Sequence, residues 1–196
     1  MVYPRGSEEE QASVALLKAG SIAGLETLVR LHQTQALKVA CAITHHLAEA
    51  EDVVADAYLR AYDKIGGFDA SRPFEPWFLQ IVVNSAIRAA RRPQILTRLL
   101  RRSSQLEPDV FVDPAETAER HHQAALVLQA MSCLSPKLRA VLVLRYFLEL
   151  DQAEMATVLR CPEGTVKRRL HDARNKLRQL LIGRLAEETR QAQEVP

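Results

Sequence analysis

One stretch limits the folding options of this chain more than any other: DQAEMATVLRCPEGTVKRRLHDARNKLRQLL, from Asp151 to Leu181. Met155, Val158 and Leu159 recur at helical spacing and give the first part an apolar side. Cys161-Pro162-Glu163-Gly164 then interrupts it, because Pro162 lacks a backbone donor and disfavours helix at the residue before it. A second helix can start near Pro162, with Glu163 favourable beside its positive end. Val166, Leu170, Ala173, Leu177 and Leu180 fall on one stripe of that helix. Lys167, Arg168, His171, Asn175 and Arg178 fall on the opposite side. A short helix, a turn and a basic second helix are what reading a DNA major groove requires. The same periodicity and charge also suit a solvated amphipathic surface helix, and pattern alone leaves both readings open.

With 196 residues the chain can form one or two small domains. Gly and aromatic residues are scarce while Ala, Leu, Arg, Glu and Gln are abundant, which favours an all-α fold. A net charge of +2 means that any nucleic-acid footprint depends on where the charges sit. No apolar run approaches the roughly 18–20 residues of a membrane span, so membrane insertion is not expected. The N-terminus lacks the apolar core of a signal peptide. Cys41, Cys133 and Cys161 are odd in number and widely spaced, which fits a reducing cytoplasm better than a disulfide framework.

Residues 1–10 are polar and read as a frayed end. A short helix from Gln11 closes at Gly20, and Ser21 is placed to cap the next, which carries Leu25, Leu28, Val29 and Leu31. A helix from about Ala48 has Val53, Val54, Ala57, Tyr58 and Ala61 inside and stops at Gly66-Gly67. Another begins near Pro76, carries Trp77, Phe78, Ile81, Val82 and Ile87, and ends in Arg88, Arg91 and Arg92. Residues 93–113 read as a linker, basic first and acidic later. Beyond it, a helix runs through Ala124–Met131 and Ser135-Pro136 opens the next, whose Leu138, Val141, Leu142, Leu144 and Tyr146 are expected to pack on the terminal helix-turn-helix. The tail from Glu187 reads as disordered. The expected architecture is two small helical domains, 1–92 and 114–196, joined by a linker, the second a helix-turn-helix.

CPEGTVKRRLHDARNKL resembles the recognition segment of the extracytoplasmic-function (ECF) class of bacterial sigma factors, of the form CPxGTVxSRLxRARxxL, and LELDQAEMATVL resembles its lead-in helix. Upstream, AEDVVADAYLRAYDKIGGF followed by RPFEPWFLQIVVNSAIRAARR resembles the family's core-binding and promoter-melting region. The resemblance implies a dissociable RNA polymerase subunit that recognises −35 and −10 type promoter elements and initiates transcription. Its partners would be promoter DNA, the clamp helices and flap of core polymerase, and an anti-sigma protein.

It also implies residue roles. Lys167, Arg168 and His171 would read base edges, with Arg174 and Arg178 on phosphates; a bidentate Arg–guanine contact gives about 1–3 kcal/mol of discrimination. Asn84 and Arg88 would face the melted strand, and Gly67, Phe68 and Asp69 would border a pocket for a flipped-out base. Trp77 reads first as a core residue and is counted with this strand-binding set. Asp52, Asp56 and Arg60 match the polymerase-docking motif best. The chain departs from the family at Arg88, where an acidic or amide residue is common, at Arg168 in place of Ser, and at Asp172 in place of Arg or Lys.

Cys41 and His45 have the i, i+4 spacing that can bring two ligands together, but His45-His46 and His121-His122 fall in different expected domains without a CxxC or HExxH pattern. No Gly-rich phosphate loop or nucleophile elbow appears. No cofactor and no enzymatic activity are expected. Two other readings are a conventional DNA-binding regulator using the C-terminal helices alone, and a sigma-like decoy that sequesters an anti-sigma protein. The first leaves residues 13–92 unexplained; the second has no need of a basic groove-facing helix.

Overall fold

A computed structural model describes residues 7–91 and 118–194, all helices and connections among those residues. The first half contains α1 (Glu8–Lys18), α2 (Ile22–Thr44), α3 (Leu47–Lys64), a 3-10 turn (Ile65–Gly67) and α4 (Phe74–Ala89). The second contains α5 (Ala118–Ser132), α6 (Pro136–Leu142) running into a π-helical turn at Val143–Phe147, α7 (Gln152–Leu159) and α8 (Glu163–Glu194). The linker expected at 93–113 lies outside the described residues, as do Arg92, Arg98, Arg101 and Arg102.

The apolar periodicities become the core as expected. Leu28, Ala57, Phe74, Phe78 and Val82 in the first half, and Val141, Leu144, Met155, Val166 and Ala173 in the second, are fully enclosed. Phe74 stacks on Phe78 with ring centres 5.5 Å apart, and Tyr58 stacks on Phe78 at 4.3 Å. Gly20 adopts φ +84°, the left-handed cap of α1 that glycine takes without Cβ strain. Gly24 is needed for a different reason. A Cβ there would collide with the Ser13 carbonyl oxygen and the Leu17 nitrogen, so glycine lets α2 cross α1 backbone to backbone.

Several local expectations change. The first helix starts at Glu8, capped by Ser7, whose hydroxyl accepts from the Glu10 N–H at 3.1 Å. Glu10, read as part of a frayed end, is buried. Ser21 and Ser135 occupy N-cap positions without a side-chain bond to their helices. Tyr146 is 60 % exposed and so lies outside the core. Helix α8 continues past Glu187 to Glu194.

The two halves also pack on each other. Their buried residues form one hydrophobic cluster running from Val14 to Ala173. Gln80 and Asn84, one turn apart on α4, donate side-chain amide hydrogens to the carbonyls of Thr157 (2.9 Å) and Val158 (2.8 Å) at the end of α7. Those carbonyls belong to the set that a helix leaves unsatisfied at its C-terminus. Elsewhere in the same interface, Arg139 of α6 is buried near Glu49 and His45 of the first half. Burial, opposed by Glu49, draws the guanidinium down to about 10, and burial together with the Arg139 charge holds His45 at about 3. The Nε of Arg139, Nε2 of His45, Nδ1 of His46 and one Glu49 carboxylate oxygen are buried without a hydrogen-bond partner. Each such group costs about 1–3 kcal/mol, so the apolar contact between the halves is offset in part.

Candidate nucleic-acid interface

The helix-turn-helix is built by local chemistry. Asp151 accepts from the Glu154 N–H, and Glu154 accepts from the Asp151 N–H, both at 2.8 Å, which makes a reciprocal capping box at the start of α7. Arg160 ends α7 in the left-handed region at φ +50°. The Pro162 carbonyl then accepts from the Thr165 and Val166 N–H groups, starting α8. Val166, Leu170 and Ala173 are buried, with Leu177 and Leu180 packed against the same core. That fixes the roll of α8 about its axis. Lys167, Arg168, His171, Arg174 and Arg178 are consequently all exposed along its outer face.

Two of these are held by neighbours. The Arg174 Nε donates to the Tyr146 hydroxyl at 2.7 Å, with the guanidinium 5.5 Å from the ring centre. His171 and Asn175 share a hydrogen bond of 2.8 Å. Asp172 is exposed and takes part in none of the ion pairs among the described residues.

In the first half, Gly67, Phe68, Asp69 and Trp77 line one cavity of about 540 Å³, together with Arg72 and Gln80. Its far wall is Leu144, Leu148, Leu150, Glu154, Thr157 and Val158 of the second half. Phe68 is a buried anchor, its ring 4.8 Å from Trp77 and 6.0 Å from Phe74. Trp77 is half-buried and therefore serves both the core and the cavity wall. The Asp69 carboxylate accepts from the N–H and hydroxyl of Ser71, and these bonds hold it below the usual carboxylate range. It is thus committed to the shape of its own loop.

Asn84 and Arg88 lie further along α4. Asn84 is occupied by Gln80 and Val158 carbonyls, while Arg88 is exposed and donates to Ser85 at 3.1 Å. On α3, Asp52, Asp56 and Arg60 are exposed on one stripe. Sequence reading passed over Leu59 and Tyr62 beside them, which are 63 % and 39 % exposed. Their exposure breaks the inward apolar pattern of α3, a signal available from Val53, Ala57 and Ala61. Among the described residues no group of three or more His, Cys, Asp or Glu is placed to hold a metal, and no helix is long and apolar enough to cross a membrane.

A capped helix-turn-helix with an outward basic face, set beside a four-helix unit with an aromatic pocket, defines a DNA-reading protein of two helical parts. Comparison with known proteins then narrows the class. Residues 28–94 match Sigma-70 region 2 and residues 124–177 match Sigma-70, region 4. RNA polymerase sigma-H factor of Pseudomonas aeruginosa is 30 % identical over 178 residues, covering 87 % of this chain and 92 % of that protein. ECF RNA polymerase sigma factor SigL of Mycobacterium tuberculosis is 31 % identical over 174 residues, covering 85 % and 94 %. The fold is shared with CnrH, solved in complex with the cytosolic domain of CnrY, at a TM-score of 0.62 and 24 % identity over 90 % of this chain and 99 % of that one. The chain belongs to the ECF class of RNA polymerase sigma factors. It is a promoter-recognising transcription initiation factor, and the family is not one of enzymes.

Proposed function

We propose that the chain is a dissociable, non-catalytic specificity subunit working in the bacterial cytoplasm, with division of labour between residues 1–92 and 114–196 across a linker at 93–113. In this reading, α8 enters the duplex at the upstream element through Lys167, Arg168 and His171, with Arg174 and Arg178 on phosphates. The loop at Gly67–Asp69, with Trp77, Asn84 and Arg88, captures the melted downstream strand. Helix α3 docks on the polymerase clamp, where Asp52, Asp56 and Arg60 orient the encounter and Leu59 supplies apolar area. The observation that carries this is the presence of two unlike surfaces: an exposed basic helix face in the second half, and aromatic residues Phe68 and Trp77 of the first half lining a pocket that the second half covers. In the described conformation Asn84 is bonded to α7, so strand capture by this residue requires the halves to part. That CnrH was solved with CnrY, and RpoE of Bartonella quintana with the anti-sigma factor NepR, supports an anti-sigma partner for this chain too.

The direct test is run-off transcription with core polymerase and a library of promoter fragments. Selective initiation from a subset of fragments supports the reading. Tight duplex binding without initiation favours a free-standing regulator, and binding of an anti-sigma protein alone favours a decoy. Arg168→Ala is expected to relax preference at one upstream base pair by about 1–3 kcal/mol. A selection profile identical to the parent's removes Arg168 from the base-reading set.

A further inference from the structure

Helix α1 carries none of the DNA- or polymerase-facing residues assigned above, yet it holds both ends of the loop that leads into the pocket. At one end the Lys18 ammonium donates to the Phe68 carbonyl at 2.8 Å, across 50 residues of sequence. At the other, Glu10 accepts from the Phe74 N–H at 3.0 Å. Phe74 opens α4, and the N-cap before it is Pro73, whose side chain can make no cap bond. Glu10 therefore supplies from a distance the carboxylate that a helix N-terminus ordinarily receives from its own cap. Its second oxygen sits 3.0 Å from His32 Nε2 on α2. Burial alone would raise this carboxyl, but the bonds from His32 and Phe74 outweigh it and leave it below the ordinary value. Glu10 and His32 are 6 % and 8 % exposed, so this contact is shielded from solvent.

Between these two holds, the loop has its own internal supports. The Phe68 N–H donates to Ile65, the Arg72 N–H to the Asp69 carbonyl, and Ser71 to the Asp69 carboxylate. None of those bonds relates the loop to the rest of the first half. That relation comes from the Phe68 ring, packed on Phe74 and Trp77 of α4, and from the polar holds of α1, which is in turn seated on α2 by the close crossing at Gly24.

We infer that Lys18 and Glu10 are positioning residues for strand capture: they clamp the 68–74 loop against α1, so that the pocket keeps its shape when the second half withdraws. This rests on the proposed role of that pocket. The cavity has a wall from α7, and once that wall leaves, the Lys18 and Glu10 bonds from α1 and the packing of Phe68 on Phe74 and Trp77 of α4 remain to hold the loop in register.

The test uses the full chain with core polymerase on pre-melted promoter templates. The non-template strand carries each of the four bases in turn at each melted position. Lys18→Met is expected to flatten base discrimination by about tenfold, the scale set by losing one charge-assisted hydrogen bond. Its thermal midpoint and its duplex binding should match the parent's. Lys18→Arg, which keeps a donor, should restore discrimination. Asn84→Ala serves as the control on the reading itself. If Asn84→Ala changes discrimination and Lys18→Met does not, the clamp is overturned while strand capture stands. If both leave discrimination unchanged, strand capture and the clamp fall together. A Lys18→Met protein that has lost thermal stability and duplex binding along with discrimination also overturns the inference, because Lys18 is then a general structural contact.

Discussion

A chain locked shut between α4 and α7 is expected to lose promoter initiation to background. Gln80→Cys with Thr157→Cys puts one thiol on each side of the α4–α7 contact, at two residues now joined by a 2.9 Å bond from the Gln80 side-chain amide to the Thr157 backbone carbonyl. A short, disulfide-containing crosslinker would hold them together, and reductant would release them. The physical basis is competition for one group. The Asn84 amide spends its hydrogens on Gln80 and Val158, and the second half forms a wall of the cavity that contains Phe68 and Trp77. Leu148 and Val158 line this cavity opposite Phe68 and Trp77, so a strand that enters it meets the second half before it can reach Asn84. Because Cys133 is exposed and Cys161 half-buried, the parent chain treated with the same reagent is the necessary control. Initiation by the locked protein at the level of its reduced form would sink the masking argument.

Phe74→Ala should be the most damaging single substitution to folding, by about 3–5 kcal/mol. Phe74 is wholly enclosed and touches four rings: His32 at 5.7 Å, Phe68 at 6.0 Å, Trp77 at 5.5 Å and Phe78 at 5.5 Å between centres. Removing it leaves a cavity that rigid helix backbones cannot collapse to fill. Against a total stability of about 5–15 kcal/mol, such a loss leaves little margin. Urea denaturation followed by circular dichroism measures it, and a midpoint within error of the parent's would show that the aromatic cluster repacks. Trp77→Ala, at a half-buried position on the cavity wall, should cost less.

Phe74 also shows what could be read in advance and what could not. The period of apolar residues from Trp77 to Ile87 located α4, but its start was placed at Pro76, because Pro73 carries no capping side chain. The actual cap comes from Glu10, 64 residues away in sequence. No local pattern reports such a partner, and an acidic triplet at Glu8–Glu10 looks like a solvated end. The α7–turn–α8 unit was legible for the opposite reason: the cap of α7, the turn and the apolar stripe of α8 are all encoded within the stretch from Asp151 to Leu180. The outward direction of Lys167 and Arg168 followed from that stripe. Tyr146 meets the terminal helix-turn-helix as expected, but at its exposed side, through a hydroxyl and ring face turned to Arg174, and not within the core. Part of the contact between the halves is made by the Gln80 and Asn84 side-chain amides meeting backbone carbonyls of α7, and periodicity has no term for that.

The two halves are not hidden to the same degree. The groove-facing side of α8 is open to solvent in the closed form, whereas Asn84 on α4 is not. On the roles proposed above, a shut molecule is one-handed: it would feel along intact double helix but have nothing ready to hold a separated strand. That asymmetry builds a sequence of events into the architecture, with search coming before commitment.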